Sequence, residues 1–477
     1  TFAPVAKLVT LRVFLSLVAI MGLHTSQIDI KTAFLNAELE EEIYCRPLYD
    51  QVRILIVLYK TLTDDIQKDI VADQIKKLRR GGVLLLLKAI YGLKQAPRAW
   101  WQKLHAFLKS IGFVANAYDV CFYVLRLAGG ASVLLLLYVD DIIMAASSKH
   151  LLDYYVNLLG KKFKVGEEGP LTTYLGFDIN VDLAARKVTL CMKKFVEKFY
   201  KRFNLLVKQS VVVPMAEGIG PALETAVLAD DNFTLDFQYR EKVGCLIYYM
   251  ICMRYDICYA TGIVARYSNK VSRVAAAGVT QLLQFCYNTR DKCLVLGGTA
   301  AYITGFSDSD WAGDRVTRKS LGSYVMYLGR GPVDWASKQH RLQAQSTAEA
   351  EFISMTPPTK AIVWLRWLLH STKVTSIITK YSSTLFVDNT AAIAIASNPV
   401  QSNMNKNVAM KYMLVRELVA AGVISVEHVE SPLNIADIGT KALQKNKFSE
   451  LSGPALGQEE FVRPTKRRRV ENSDEFV

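Results

Sequence analysis

The sequence predicts a multidomain chain of mixed α+β and α/β class, and three observations carry that prediction. At 477 residues the chain is too long for one hydrophobic core, while 51% apolar and 21% charged residues are the composition of a folded protein. Leu134 to Met144, LLLLYVDDIIM, reads as two buried strands meeting at a tip that carries two aspartates. From Ile303 onward the pattern changes to strand, strand, strand, helix, strand, helix, with carboxylates spaced along it.

At the acidic tip, Asp140 and Asp141 are flanked by Val139 and Ile142. Adjacent carboxylates repel, and a partly desolvated pair requires a cation or hydrogen-bond donors. Asp-Asp is also common in ordinary turns, so the stretch alone leaves both readings open. Gln27 to Phe34, QIDIKTAF, places Asp29 between two isoleucines, at the expected end of another strand. Three carboxylates from two segments suffice to hold two Mg²⁺ ions, or Mn²⁺ in their place, for in-line phosphoryl transfer.

The formal charge is +14, from 58 Lys and Arg against 44 Asp and Glu, which suits a polyanion such as nucleic acid rather than a membrane. Eight cysteines from Cys45 to Cys293 include no C-x-x-C pair, so neither a zinc site nor a dense disulfide framework is expected, and a reducing, intracellular compartment fits. Val13 to Leu23 is too short to span a bilayer. With Lys7 and Arg12 ahead of it, the run imitates a signal peptide, but it leads directly into the Asp29 motif and is expected as a buried or amphipathic helix. The start at Thr1, without methionine, is expected to be the inside of a longer polyprotein.

In chain order, QIDIKTAFLNAELEEEIY, KAIYGLKQAPRAW, LYVDDIIM and YLGFDI resemble the reverse transcriptase of copia-type LTR retrotransposons. The resemblance implies a palm with partial fingers over residues 1–204: a helix to Gly22, a strand around Asp29, a helix from Ala96, a hairpin at Asp140 and a helix after Lys149. By resemblance Asp29, Asp140 and Asp141 bind the metals, and Phe34 lies beneath the incoming sugar and selects deoxynucleotides. Tyr91 lies near the templating base pair, and Gly92, Lys94, Gln95, Arg98 and Tyr138 complete the substrate site. Tyr174, Leu175 and Gly176 resemble the hairpin that grips the primer. From the residues themselves, Gly92 permits close backbone approach, Pro97 can open a helix, and Lys94 and Arg98, four apart, can share a face toward phosphates. The acidic run Glu38 to Glu42 is expected on a solvated helix face. Leu48 to Leu87 departs from the family pattern and has helical composition.

Residues 205–300 open with Pro214, Gly218, Gly220 and Pro221, a linker composition. The helical pattern that follows, YREKVGCLIYYMICMRYDICYATGIVARYSN, resembles the thumb and connection of the same elements, with Tyr255 where that pattern has proline. A purely structural helical bundle has the same periodicity.

Over residues 301–445, FSDSDW, STAEAE, VDNTAA and IADIGTKAL resemble the linked RNase H domain, and the resemblance assigns Asp308, Glu349, Asp388 and Asp437 to a second two-metal site. The family's TKHIDIRYHFIRE helix is here NKNVAMKYMLVRE, with Asn407, Ala409 and Met413 in the places of His, Asp and His. His428 is expected to be structural. Residues 446–477 form a basic tail in which Lys466, Arg467, Arg468 and Arg469 suit nuclear import, an electrostatic arm or plain disorder.

The expected function is RNA-directed DNA synthesis joined to RNase H. Its partners are an RNA template, a DNA primer, the RNA/DNA hybrid and dNTPs, with integrase or other Pol and Gag products as further possibilities and no membrane. The expected location is a cytoplasmic virus-like particle, the nucleus, or both. Two alternatives stand beside it: a decayed remnant that binds nucleic acid without turnover, and RNase H activity alone.

Overall fold

The computed structural model describes residues 3–205, 211–228, 238–314, 316–372, 381–398 and 413–461. Helix α1 (Leu8–Met21) is buried at every position from Thr10 to Ala19 and ends at Gly22, whose φ of 68° reverses the chain. Its first turn is capped from a distance: the Asp119 carboxylate accepts from Lys7 N at 3.2 Å and Thr10 Oγ1 at 2.5 Å. Strand β1 (His24–Ile30) follows.

The stretch from Leu48 to Leu87 forms an excursion. Strands β2 (Tyr44–Cys45) and β3 (Leu84–Leu85) pair at its base and enclose helices α2 (Gln51–Thr61) and α3 (Asp65–Arg79). The acidic run is not the expected helix face. It is irregular chain in which Glu38 bridges Lys88, because that pairing claims the backbone.

Helix α4 (Ala96–Ser110) then leads into β4 (Val114–Ala115), β5 (Phe122–Arg126), β6 (Ser132–Tyr138), β7 (Asp141–Ala146), α5 (Lys149–Lys162) and β8 (Val165–Gly169). The first sheet runs β4-β5-β6-β7-β1-β8. β6 and β7 are apolar without alternation because both faces are covered, with α5 against β1 and β7, and α1 against β6.

A second sheet, β12-β11-β10-β9, joins the hairpin strands β9 (Thr173–Tyr174), β10 (Phe177–Asp182) and β11 (Lys187–Cys191) to β12 (Leu294–Gly297). Between them lie α6 (Lys193–Arg202), α7 (Ile219–Leu228), α8 (Tyr239–Met253), α9 (Cys258–Arg266) and α10 (Arg273–Asn288). Leu190 faces Leu294 in the β11–β12 register, and this brings Cys191 and Cys293 into a disulfide that the cysteine spacing did not announce.

The third sheet has the order β15-β14-β13-β16-β17. Its strands are β13 (Ile303–Asp310), β14 (Leu321–Leu328), β15 (Gly331–Gln339), β16 (Ser383–Val387) and β17 (Ile424–His428), and α11 (Thr347–Thr372) packs on β13 and β14. The first three strands are antiparallel, whereas β16 runs parallel to β13 and β17 parallel to β16.

One buried cation joins these parts. Arg12 of α1 donates from Nε to the Val333 carbonyl at 2.7 Å, and from Nη1 to the carbonyls of Ile251 and Cys252 at 2.9 and 3.0 Å, while its guanidinium lies 4.0 Å from the Trp335 ring centroid. The α8 carbonyls come from a helix end, where the last turn lacks internal partners. Removing the cation leaves three buried acceptors empty. Arg12→Met is therefore expected to cost about 3 kcal/mol of stability, read as a lowered urea midpoint. An unchanged midpoint would show that the junction does not depend on it.

Candidate active sites

The first acidic centre is built by strand register. Asp29 at the end of β1 faces Asp141 at the start of β7, and Tyr138 faces Asp141 across a loop of only Val139 and Asp140. Val139 has a φ of 61°, rare for a β-branched residue, and is secured by the Trp100 indole N–H, which donates to its carbonyl at 2.6 Å. Helix α4 thus fixes the tip that carries the carboxylates.

Tyr91 donates from its hydroxyl to Asp140 Oδ2 at 3.0 Å and packs against Phe34, with ring centroids 4.3 Å apart. Burial and this bond push the Tyr91 phenol up to about 12. The Asp141 carboxyl is also raised, by burial first and then by Asp140 and Asp29. Tyr174 donates to the Asp141 carbonyl at 3.3 Å, and Tyr174, Leu175 and Gly176 share one pocket with Asp29 and Asp141. Leu175 and Gly176 both have positive φ, which forms the β9–β10 turn.

Gly166 of β8 is required at close quarters: a Cβ there would stand 2.3 Å from Asp29 Oδ2. Gly92 has a φ of 101° and opens onto free space. Lys94 is exposed, and Gln95 and Arg98 line a separate trough opposite Glu38, Glu40 and Glu41.

The second centre is more deeply buried. Asp308 on β13, Glu351 on α11 and Asp388 just beyond β16 place carboxylate oxygens all within 4.8 Å of one another, the one such group of three among the described residues. Glu351 Oε1 accepts from Ser309 N at 3.2 Å, and Asp308 accepts from the Thr440 hydroxyl. Burial, reinforced by Asp437, raises the Asp308 carboxyl to about 7. Burial, reinforced by Asp308 and Asp388, raises Glu351 to about 10.

Asp437, fully buried, is paired with Lys441 at 2.8 Å and with Lys447. Against the pull of its own burial, Asp308 and Asp437 hold the Lys441 ammonium above its usual pKa.

The structure corrects the position expected on the helix. Glu349 does not enter the group of three; its carboxylate accepts from Gln345 N at 2.7 Å while Ser346 Oγ accepts from Glu349 N at 3.1 Å. Ser346-Thr-Ala-Glu349 is a capping arrangement, and that pattern is the signal by which Glu351 is found instead.

Tyr255, in the family's proline position, is buried with its hydroxyl 2.8 Å from Ser323 Oγ, and Ser323 is the strand partner of Asp308. His428 lines another cavity, beside Phe386 and Glu430. Asn407, Ala409 and Lys466, Arg467, Arg468 and Arg469 lie outside the described residues.

Both donor sets suit a hard divalent cation. They offer oxygen ligands only, and the raised carboxyls show that burial without a compensating positive charge disfavours their ionised form. Among the described residues no helix is long and apolar enough to cross a membrane.

The reverse transcriptase (RNA-dependent DNA polymerase) family matches residues 66–217. The retrovirus-related Pol polyprotein from transposon TNT 1-94 of Nicotiana tabacum is 32% identical over 450 residues, 94% of this chain and 32% of that protein. The retrovirus-related Pol polyprotein from transposon RE1 of Arabidopsis thaliana is 29% identical over 453 residues, 95% of this chain and 29% of that protein. The chain thus spans about a third of the length of these relatives. Among solved structures, the N-terminal RNase H domain from Mycobacterium tuberculosis, fused to maltose binding protein, covers 33% of this chain and 99% of its own at 12% identity and a TM-score of 0.22. The chain is thus similar over nearly its whole length to parts of retrotransposon Pol polyproteins, and residues 66–217 match the reverse transcriptase family.

Proposed function

We propose that this chain copies RNA into DNA at the Asp29, Asp140 and Asp141 centre and hydrolyses the RNA of the resulting hybrid at the Asp308, Glu351 and Asp388 centre. The observation that carries the reading is that two of the three larger sheets each end in their own carboxylate set, with Asp29 opposite Asp141 in one and three oxygens within 4.8 Å in the other. Bound there, Mg²⁺ or Mn²⁺ would supply positive charge to the transferring phosphoryl group and lower the pKa of an attacking hydroxyl or water. Phe34 and Tyr91 would form the wall against the incoming nucleotide, with the Tyr91 hydroxyl orienting Asp140. Tyr174, Leu175 and Gly176 would seat the primer end beside Asp141. Lys94, Gln95 and Arg98 would contact strand phosphates away from the metals. In the second centre Lys441 and Lys447 would hold Asp437 in place behind the three ligands. The strand order of the third sheet, with two parallel strands beside three antiparallel ones, supports an RNase H-like assignment.

One observation favours a second reading, hybrid cleavage without DNA synthesis: among the described residues only the later carboxylates form a group of three with oxygens all within 4.8 Å of one another. Primer extension on RNA and cleavage of an RNA/DNA hybrid, both with Mg²⁺, separate the two. Asp140→Asn is expected to lower extension by about 100-fold or more and leave cleavage intact, with Asp308→Asn doing the reverse. Extension by the wild type that does not exceed the Asp140→Asn background would leave only the nuclease. Absence of both activities would mark a binding remnant.

Within the second centre, Glu351→Gln is expected to abolish hybrid cleavage while Glu349→Gln retains it and loses some helix stability. The opposite ranking would return the ligand to Glu349. In the first centre, Gly166→Ala is expected to displace the Asp29 carboxylate and reduce extension about 10-fold or more, without touching cleavage.

A pH test needs no turnover. Because burial raises the Asp308 carboxyl to about 7, the metal-free folded state holds a proton that the unfolded chain releases near pH 4, so this group's contribution to stability falls as pH rises from about 4 to 7. Asp308→Asn removes that loss. Its thermal midpoint is expected to gain on the wild type's between pH 4 and pH 8, with equal differences at both pH values counting against the raised carboxyl.

A further inference from the structure

A groove of about 530 Å³ lies between the segment that follows β17 and the helix Lys445–Ala455, and none of the carboxylates of either centre lines it. Its floor is apolar and its rim is acidic. Glu430, Glu450, Glu459 and Glu460 line it, all of them exposed, and no lysine or arginine does. Of the four, only Glu460 has an ion pair among the described residues, a 3.9 Å contact with Arg330. Lys447, whose ammonium donates to the nearby Ser431 carbonyl, is paired with Asp437.

The apolar part of the groove is open to a ligand. Leu433 is 47% exposed, and Pro432 beside it is exposed as well. Accessible apolar surface ringed by glutamates repels a phosphate backbone, but it suits a cationic peptide whose side chains have long aliphatic stems.

Such a peptide is tethered to the groove itself. Phe461, the last of the described residues, is one of the lining side chains. Residues 462–469 carry Arg463, Lys466, Arg467, Arg468 and Arg469 and no acid. Lys466 follows Phe461 by five residues, at most about 17 Å of extended chain. Closing so short a loop costs little entropy, and a tether of this length gives an effective concentration on the order of millimolar.

We propose that this groove docks the chain's own basic segment, Lys466 to Arg469, and masks it until a partner of higher negative charge draws it away. The glutamates meet the cations, and Leu433 and Pro432 take their aliphatic stems. Docking of this kind is independent of activity at either acidic centre.

The test is tryptic cleavage of the full chain after Lys466 to Arg469, followed by mass spectrometry as the initial rate of release of the C-terminal fragment. A free peptide of residues 462–477, cut under the same conditions, gives the unprotected rate. The wild type is expected to be cut about 10-fold more slowly than the peptide, with that protection shrinking as salt is raised from about 0.05 to 0.5 M. Glu430→Gln combined with Glu450→Gln is expected to lose about 3-fold or more of the protection, and Leu433→Ser about 2-fold. All three positions are exposed, so thermal midpoints are expected to equal the wild type's. Loss of protection in the double variant, at a level independent of protein concentration, supports docking whether or not Leu433 contributes. A wild type cut as fast as the peptide would overturn it. Protection unchanged in both variants would remove the segment from this groove, and protection that rises with protein concentration would assign it to a second copy and overturn docking within one chain.

Discussion

Arg12 is the one charged residue of α1, and it is buried where three parts of the chain meet. Its guanidinium occupies the carbonyls at the end of α8, the Val333 carbonyl in β15 and the face of Trp335. Burial lowers its pKa to about 10, with Asp334 opposing the shift, so the group stays charged at neutral pH and depends on those acceptors. Because α1 also packs on β6, β11 and β12, one helix sets the placement of the first sheet against the third. The separation of the two acidic centres therefore follows from the packing of a single apolar helix and the satisfaction of its only cation. Further ties act at the same junction: Asn116 donates to the Leu368 carbonyl at 2.9 Å, and Tyr118 stacks on Trp367.

The two centres manage the same electrostatic problem differently. Asp29, Asp140 and Asp141 sit at half-buried strand ends, where the Tyr91 hydroxyl donates to Asp140, and the Asp141 carboxyl is raised by burial first. Asp308 and Glu351 are almost wholly enclosed, and both are raised far above ordinary carboxylates. Lys441 and Lys447 offset part of that cost through Asp437 but reach neither Glu351 nor Asp388 with an ion pair among the described residues. A cation has more to gain in the second centre, since more desolvation is left uncompensated there.

Much of this was legible in the sequence where one physical signal dominated. The apolar runs on either side of Asp140 read as two buried strands meeting at an acidic tip, and the structure pairs them across Tyr138 and Asp141. Where two signals competed, the weaker clue decided. Glu349 and Glu351 both lie in an acidic helix start, and spacing from a motif favours neither. Helix phase and the Ser346 cap assign Glu349 to the backbone and leave Glu351 facing Asp308. The Glu38 to Glu42 run has helical composition, yet pairing with the returning chain at Lys88 overrides that propensity. Cys191 and Cys293 are 102 residues apart, so only the register of β11 against β12 brings them together. Tyr255 read as a departure from a pattern; its hydroxyl instead ties the segment between α8 and α9 to the strand partner of Asp308.

The stretch Leu48 to Leu87 reads as a departure from the family pattern, yet the reverse transcriptase family match begins within it, at residue 66, and the same geometry sets it apart from the core. Helix α2 contributes no buried residue and α3 only Val71, so the excursion adds almost nothing to the core. Its base is clipped shut by Tyr44 opposite Leu85, Cys45 opposite Leu84, and the Ala89 N–H bonded to the Ala37 carbonyl at 3.0 Å. The chain consequently re-enters at KAIYGL in fixed register whatever the excursion contains. Tyr91 then meets Asp140, and Trp100 meets Val139, through contacts made after that re-entry. Sequence between the two clipped strands is free to change without moving the carboxylates, because each of the three is positioned by β1, β6, β7 and α4, and none by α2 or α3.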